Sequence, residues 1–164
     1  MSTNSAHCLC GSSLTYPQCC ELLHSGHADA LSAEGLMRSR FTAYAKHDAA
    51  YLLKTWDEST RPATIDFSKD TGEWTRMEIV LKKKGGAKDH KGMVEFKAYF
   101  TVQDEQRVMH EISRFIKKQG LWYYLDGKVK SIALDQGSFN QGLNALCACA
   151  SGKKFKRCCG QKQA

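Results

Sequence analysis

All eight cysteines of the chain fall into two sets of four with the same internal spacing, one set near each end. Cys8-Leu-Cys10, eight residues, then Cys19-Cys20 is repeated as Cys147-Ala-Cys149, eight residues, then Cys158-Cys159, at a constant offset of 139 positions. Ser12 corresponds to Ser151 and Tyr16 to Phe155, so one short unit occurs as two separated copies. A segment of about 20 residues buries too little apolar surface to fold alone, so each unit has to be held together by its cysteines.

What the cysteines do depends on the redox setting. No apolar run approaches the roughly 20 residues of a membrane span. The first residues, Met-Ser-Thr-Asn-Ser-Ala-His, lack the basic stretch and apolar run of a secretory leader. A cytoplasmic protein is the expectation, and thiols there are kept reduced, which favours metal ligation over disulfides. Four thiolates suit zinc and close its tetrahedron, leaving no position for a catalytic water, so two structural Zn²⁺ ions are expected. Cys8, Cys10, Cys19 and Cys20 would hold one; Cys147, Cys149, Cys158 and Cys159 would hold the other. An iron–sulfur cluster or redox-active thiols are the competing uses, and paired disulfides would need an oxidising compartment. His7, His24 and His27 stand close to the first set, but four cysteines already complete a zinc site.

The residues between Cys147 and Gly160, Cys-Ala-Cys-Ala-Ser-Gly-Lys-Lys-Phe-Lys-Arg-Cys-Cys-Gly, resemble the SEC-C motif, the zinc-binding tail of the SecA translocation motor. The N-terminal set is similar to a second copy that lacks the basic residues before its last cysteines. Between them stand Leu36-Met-Arg-Ser-Arg-Phe-Thr-Ala-Tyr44, Thr60-Arg-Pro62, Glu111-Ile-Ser-Arg-Phe115 and Trp122-Tyr-Tyr-Leu-Asp-Gly127. With these, almost the whole chain resembles the YchJ-like bacterial family. That resemblance implies a central domain like nuclear transport factor two. The expected class, with the sheet shape the resemblance implies, is α+β: a helical hairpin packed on a strongly curved, cone-like antiparallel sheet, flanked by two small zinc knuckles. The expected segments are an N-terminal knuckle over 1–27, the central domain over 28–133, a linker over 134–146 and a C-terminal knuckle over 147–164.

The residues of the middle agree with that order. Met37, Phe41, Tyr44 and Ala45 recur at helical spacing, predicting an amphipathic helix over about 33–47. Asp48 can cap a second helix in which Ala49, Leu52, Leu53 and Trp56 repeat the stripe, before Pro62 disfavours its continuation. The period then falls to two. Thr75, Met77, Ile79 and Leu81 alternate with polar neighbours, as do Val94, Phe96, Ala98, Phe100 and Val102. Strands also follow at 107–117 and 121–126, and Asp126-Gly127 offers a tight turn into 128–133.

A cone of this kind can enclose an apolar cavity with a few polar groups. Arg61, Glu95, Tyr99, His110 and Glu111 are the candidate lining residues, with Glu111 or His110 as a general base if the cavity serves a lyase or isomerase. In strand 107–117 Val108, Ile112 and Ile116 mark one face while Met109 and Phe115 mark the other, so parity alone leaves the inward face open. The simpler role for Glu111 is a tie to Arg38, Arg40 or Arg61 across sheet and helix. Nucleophile elbow, phosphate loop and His-Glu-x-x-His are all missing from the sequence, which favours a binding function over an enzyme.

Charge separates the two knuckles. The chain carries +7 overall, yet residues 147–164 hold five basic residues and no acid, while residues 1–27 hold one acid, Glu21, and no lysine or arginine. A Zn²⁺–tetrathiolate adds −2 to each, leaving +3 at the C-terminal unit and −3 at the N-terminal one. Lys153, Lys154, Lys156 and Arg157 therefore form a cationic surface suited to an acidic protein or ribosomal RNA. The same charges also favour deprotonated sulfurs. The SEC-C resemblance implies a similar partner, since the zinc tail of SecA engages an acidic export chaperone. A zinc-binding adaptor is the leading expectation, and a small-molecule site or lyase/isomerase in the cone is the alternative.

Overall fold

The structure is a computed structural model and describes residues 6–135. The chain divides into Met1–Leu134 and Asp135–Ala164. Cys147, Cys149, Cys158 and Cys159, the four basic residues Lys153, Lys154, Lys156 and Arg157, and nearly all of the expected linker lie outside the described residues.

Helix α2 (Ala33–Ala45) is the centre of the fold, following a short α1 (Cys20–His24). Its start is fixed twice: Ser32 accepts a hydrogen bond from Gly35 N at 3.0 Å, and Ala33 N donates to Gly85 O at 2.9 Å. His47, in the left-handed region at φ +55°, ends the helical path, and Asp48 caps α3 (Ala49–Lys54) by accepting from Tyr51 N at 3.0 Å. Sequence periodicity extends this second helix to Trp56, but the chain leaves it after Lys54. Trp56 instead forms a parallel bridge to Tyr124, framed by Tyr124 N donating to Thr55 O and Asp57 N donating to Tyr124 O, each at 2.8 Å.

The four strands β1 (Glu73–Lys84), β2 (Lys91–Val102), β3 (Glu105–Lys118) and β4 (Leu121–Leu134) form an antiparallel meander in the order β1-β2-β3-β4. The two inner strands pair in unbroken register, whereas the outer two each shift twice. Thr75 and Val80 are the extra residues in β1, and Leu125 and Lys130 those in β4. An extra residue bends its strand and increases its twist, which curves the sheet from both margins around α2.

Register settles the face that parity left open. Glu111 stands opposite Phe96, Ser113 opposite Val94 and Phe115 opposite Gly92, so Glu111 and Ser113 face the helix, and His110 and Arg114 face away. The core follows the same face: Leu36, Met37 and Phe41 of α2 pack with Met77, Phe96 and Phe115 of the sheet. The expected turn at Asp126-Gly127 is absent because β4 continues straight through it. Asp126 pairs with Arg114 on the outer face. Gly127 lies beneath Glu111, where a Cβ would collide with the carboxylate and stand 2.6 Å from the Tyr124 hydroxyl.

Candidate functional site

The N-terminal cysteines are gathered by a loop that folds back on itself. Cys8 N donates to Leu14 O at 2.7 Å, and Gly11 N donates to Cys8 O at 3.2 Å. The reversal passes through Gly11 at φ +83°, a conformation that suits glycine. A 3₁₀ turn over Tyr16–Gln18, with Pro17 in its first positions, then places Cys19 and Cys20 at the head of α1.

The result is a set of four sulfurs, from Cys8, Cys10, Cys19 and Cys20, all within 4.8 Å of one another. No disulfide joins them, and Cys8, Cys10 and Cys20 are buried. Sulfurs at the corners of a tetrahedron about 2.3 Å from zinc are about 3.8 Å apart. The Cys10–Cys19 and Cys19–Cys20 separations are 3.5 and 3.9 Å, close to that edge, so the donor set is compatible with a tetrahedral ion. Hydrogen bonding from Cys20, aided by Ser12 and Cys19 against the cost of burial, brings the Cys10 thiol down to about 4. The same Cys10 contact and burial push Cys20 up, and burial chiefly raises Cys19. Cys10 is thus the sulfur these contacts most favour as a thiolate, and a divalent ion would favour the remaining thiolates.

The surrounding contacts seat this loop on α2. Thr42 Oγ1 lies 3.8 Å from Cys8 Sγ, Ser12 Oγ lies 3.0 Å from Cys19 Sγ, and Arg38 Nη1 donates to Cys10 O. His24 is held away from the sulfurs. Its Nε2 donates to Ser39 O at 2.8 Å, which leaves Nδ1 to accept from the Tyr16 hydroxyl at 2.9 Å. Thr42, Arg38 and His24 carry no signature in the cysteine spacing. Ser12 does, through its counterpart Ser151 in the repeat.

A second site lies between α2 and the sheet. The cavity of about 230 Å³ has apolar walls from Met37, Trp74, Phe96 and Met109. Arg40, Tyr44, Glu111 and Tyr124 supply its polar groups. Arg40 is only 1 % exposed. Its Nη1 donates to Leu52 O and Thr55 Oγ1, both at 2.8 Å, and its guanidinium carbon lies 5.1 Å from the Trp56 ring and 4.4 Å from the Tyr124 ring. Burial lifts the Glu111 carboxyl above the ordinary carboxylate range, opposed by the Ser113 hydroxyl that donates to it at 2.8 Å and by the field of Arg40.

The other candidate lining residues are elsewhere. Glu95 and His110 meet on the outer face, with Glu95 Oε1 2.7 Å from His110 Nε2 and 3.3 Å from Lys130 Nζ. The His110 contact, and then Lys130, hold the Glu95 carboxyl below its usual range. Tyr99 is also on that face, covered by Arg76 and donating to Glu78 at 3.1 Å. Arg61 lies near Asp57 and Lys118 in a separate surface hollow. The structure thus brings Glu111 to the central cavity and leaves Arg61, Glu95, Tyr99 and His110 outside it. Arg40, Tyr44 and Tyr124 join Glu111 there, and the burial of an arginine in α2 has no signal in helical periodicity.

Comparison with known proteins matches the middle of the chain, residues 32–127, to the YchJ middle NTF2-like domain and residues 144–161 to the SEC-C motif. A UPF0225 protein of Vibrio parahaemolyticus is 40 % identical over 165 residues, covering 93 % of this chain and 98 % of its own length. Another from Serratia proteamaculans is 40 % identical over 161 residues, covering 94 % and 97 %. A SEC-C motif containing protein from Rhodopseudomonas palustris superposes with a TM-score of 0.68 at 32 % identity, over 77 % of this chain and all of that one. A crystal structure of a sec-c motif containing protein from Psychrobacter arcticus does so with a TM-score of 0.62 at 29 % identity, over 98 % and 97 %.

Proposed function

Given that the chain belongs to the YchJ-like UPF0225 family, we propose that it is a zinc-binding adaptor with a four-cysteine site at each end of its NTF2-like domain. Two Zn²⁺ ions are bound, one by Cys8, Cys10, Cys19 and Cys20 and one by Cys147, Cys149, Cys158 and Cys159. The observation that carries this is the convergence of the first four sulfurs to within 4.8 Å of one another, since the second set repeats the same sequence spacing at a fixed offset. Closed four-thiolate sites are structural, so the ions hold their loops rather than activate water.

Lys153, Lys154, Lys156 and Arg157 are the contact surface for an acidic protein or RNA in the cytoplasm. The N-terminal unit is instead occupied with α2, through Thr42, Arg38 and His24. No helix among the described residues is long and apolar enough to cross a membrane. Elemental analysis of the full chain should find two zinc ions per molecule, and one after Cys147→Ser/Cys149→Ser. Capture from lysate should weaken as salt rises and be lost on replacing the four basic residues by alanine. Binding that ignores both salt and those substitutions would overturn the adaptor surface.

A further inference from the structure

We propose that the cavity between α2 and the sheet binds a small, mostly apolar carboxylic acid, with its carboxylate taken by Arg40 and its body against Met37, Trp74, Phe96 and Met109. This goes beyond the adaptor reading and does not depend on it.

Three observations carry the proposal. Arg40 is 1 % exposed and lines the cavity, yet its hydrogen-bond partners are all neutral, the Leu52 carbonyl, the Thr55 hydroxyl and the Tyr44 side chain, with no salt bridge to a carboxylate among the described residues. A buried cation is costly without an anionic partner, and a guanidinium presents further donors in a fork that matches a carboxylate. Glu111 lines the same space but stays beyond ion-pair distance from Arg40, and Gly127 beneath it leaves room for its side chain to lie flat on β4. The gap between the two is therefore a place for a third polar group.

The chemistry of the walls selects that group. An amine would meet the permanent charge of Arg40. A carboxylate would accept from Arg40 and from the Tyr44 and Tyr124 hydroxyls, and a protonated Glu111 can donate to its second oxygen, two carboxyls sharing one proton. A cavity of about 150 Å³ takes a benzene, so about 230 Å³ has room for one ring or branched chain and its acid group.

The test uses the full chain with ¹³C-methyl methionine, probed by benzoate, the neutral isostere benzamide, and benzylamine. Met37 and Met109 line the cavity, whereas Met93 lines a separate outer hollow and serves as the internal control. Benzoate should shift the Met37 and Met109 methyls, leave Met93 in place, and bind at least about tenfold more tightly than benzamide, one strong hydrogen-bond pair's worth. Arg40→Gln should abolish that preference. Should Arg40→Gln fail to fold, Met109→Phe, which fills the cavity and keeps Arg40, has to weaken benzoate in the same assay. Equal binding of benzoate and benzamide, a shift at Met93 alone, or no shift at millimolar benzoate would each overturn the proposal.

Discussion

The hydroxyl of Thr42 lies 3.8 Å from the sulfur of Cys8, so the cysteine loop rests on the same helix that carries Arg40 and Tyr44 into the cavity. Loss of a cation from the four sulfurs would free Cys8, Cys10 and Cys20, which are buried against the loop and α2. Chelation should therefore destabilise the described domain as well as the loop. If about 3 kcal/mol of the metal's binding energy reaches the domain, its Tm should fall by about 10 °C. Calorimetry with and without a zinc chelator measures this, and an unchanged domain transition would show that the loop is only an appendage.

The carboxyl of Glu111 is half-buried in the cavity lined by Arg40, Tyr44 and Tyr124, and its partial burial raises its affinity for a proton in the folded chain. A raised folded pKa means stability that is complete below the unfolded value and is lost as pH rises through the folded one. Glu111→Gln, neutral at every pH, should be more stable than the parent at neutral and alkaline pH, with the difference closing as pH falls toward the ordinary carboxylate range. Denaturant melts of both proteins across that range give the sign directly. A gap that widens on acidification would mean that Glu111 is held as the anion.

Much of this arrangement was readable in the order of residues, and the rest depends on partners distant in sequence. Val94, Phe96 and Ala98 alternate cleanly because β2 pairs with β3 without interruption. In β1 the extra residues Thr75 and Val80 break the alternation, so Trp74 reaches the core side while Leu81, aligned with Met77 by simple parity, is 44 % exposed. Asp126-Gly127 has turn chemistry, but its glycine answers to the approach of Glu111 from β3, which no local rule contains. Arg40 is the largest departure. Helical periodicity assigns an arginine to water, whereas the end of α3, Thr55, Trp56 and Tyr124 enclose this one. The cysteine set was the most legible part, because ligand number and spacing are local properties of the loop.

Gly127 gives a packing test of the cavity floor. A methyl group there would meet Glu111 and Tyr124 at less than contact distance, so Gly127→Ala should cost about 1–3 kcal/mol by overpacking. Shortening the neighbour should relieve it. In the double-mutant cycle with Glu111→Ser, a coupling of about 1 kcal/mol or more is expected, and additive effects would show that the strain lies in the backbone of β4.

At the β3–β4 hairpin, Asp57 ties the segment after α3 to β3. Its side chain is nearly inaccessible, with Oδ2 2.6 Å from Lys118 Nζ and Oδ1 accepting from Ser59 N at 3.1 Å and from the Ser59 hydroxyl. Lys118 first, and then Ser59, bring the carboxyl down to about 2. A depressed folded value means stability present above the ordinary aspartate range and lost as pH falls through about 2. Asp57→Asn should therefore be less stable at neutral pH and lose less on acidification, so that the two unfolding curves converge near pH 2. Lys118→Met should reproduce part of the loss, because Ser59 still holds the carboxylate. Parallel curves for the parent and Asp57→Asn down to that pH would show that the pair adds nothing to the folded state.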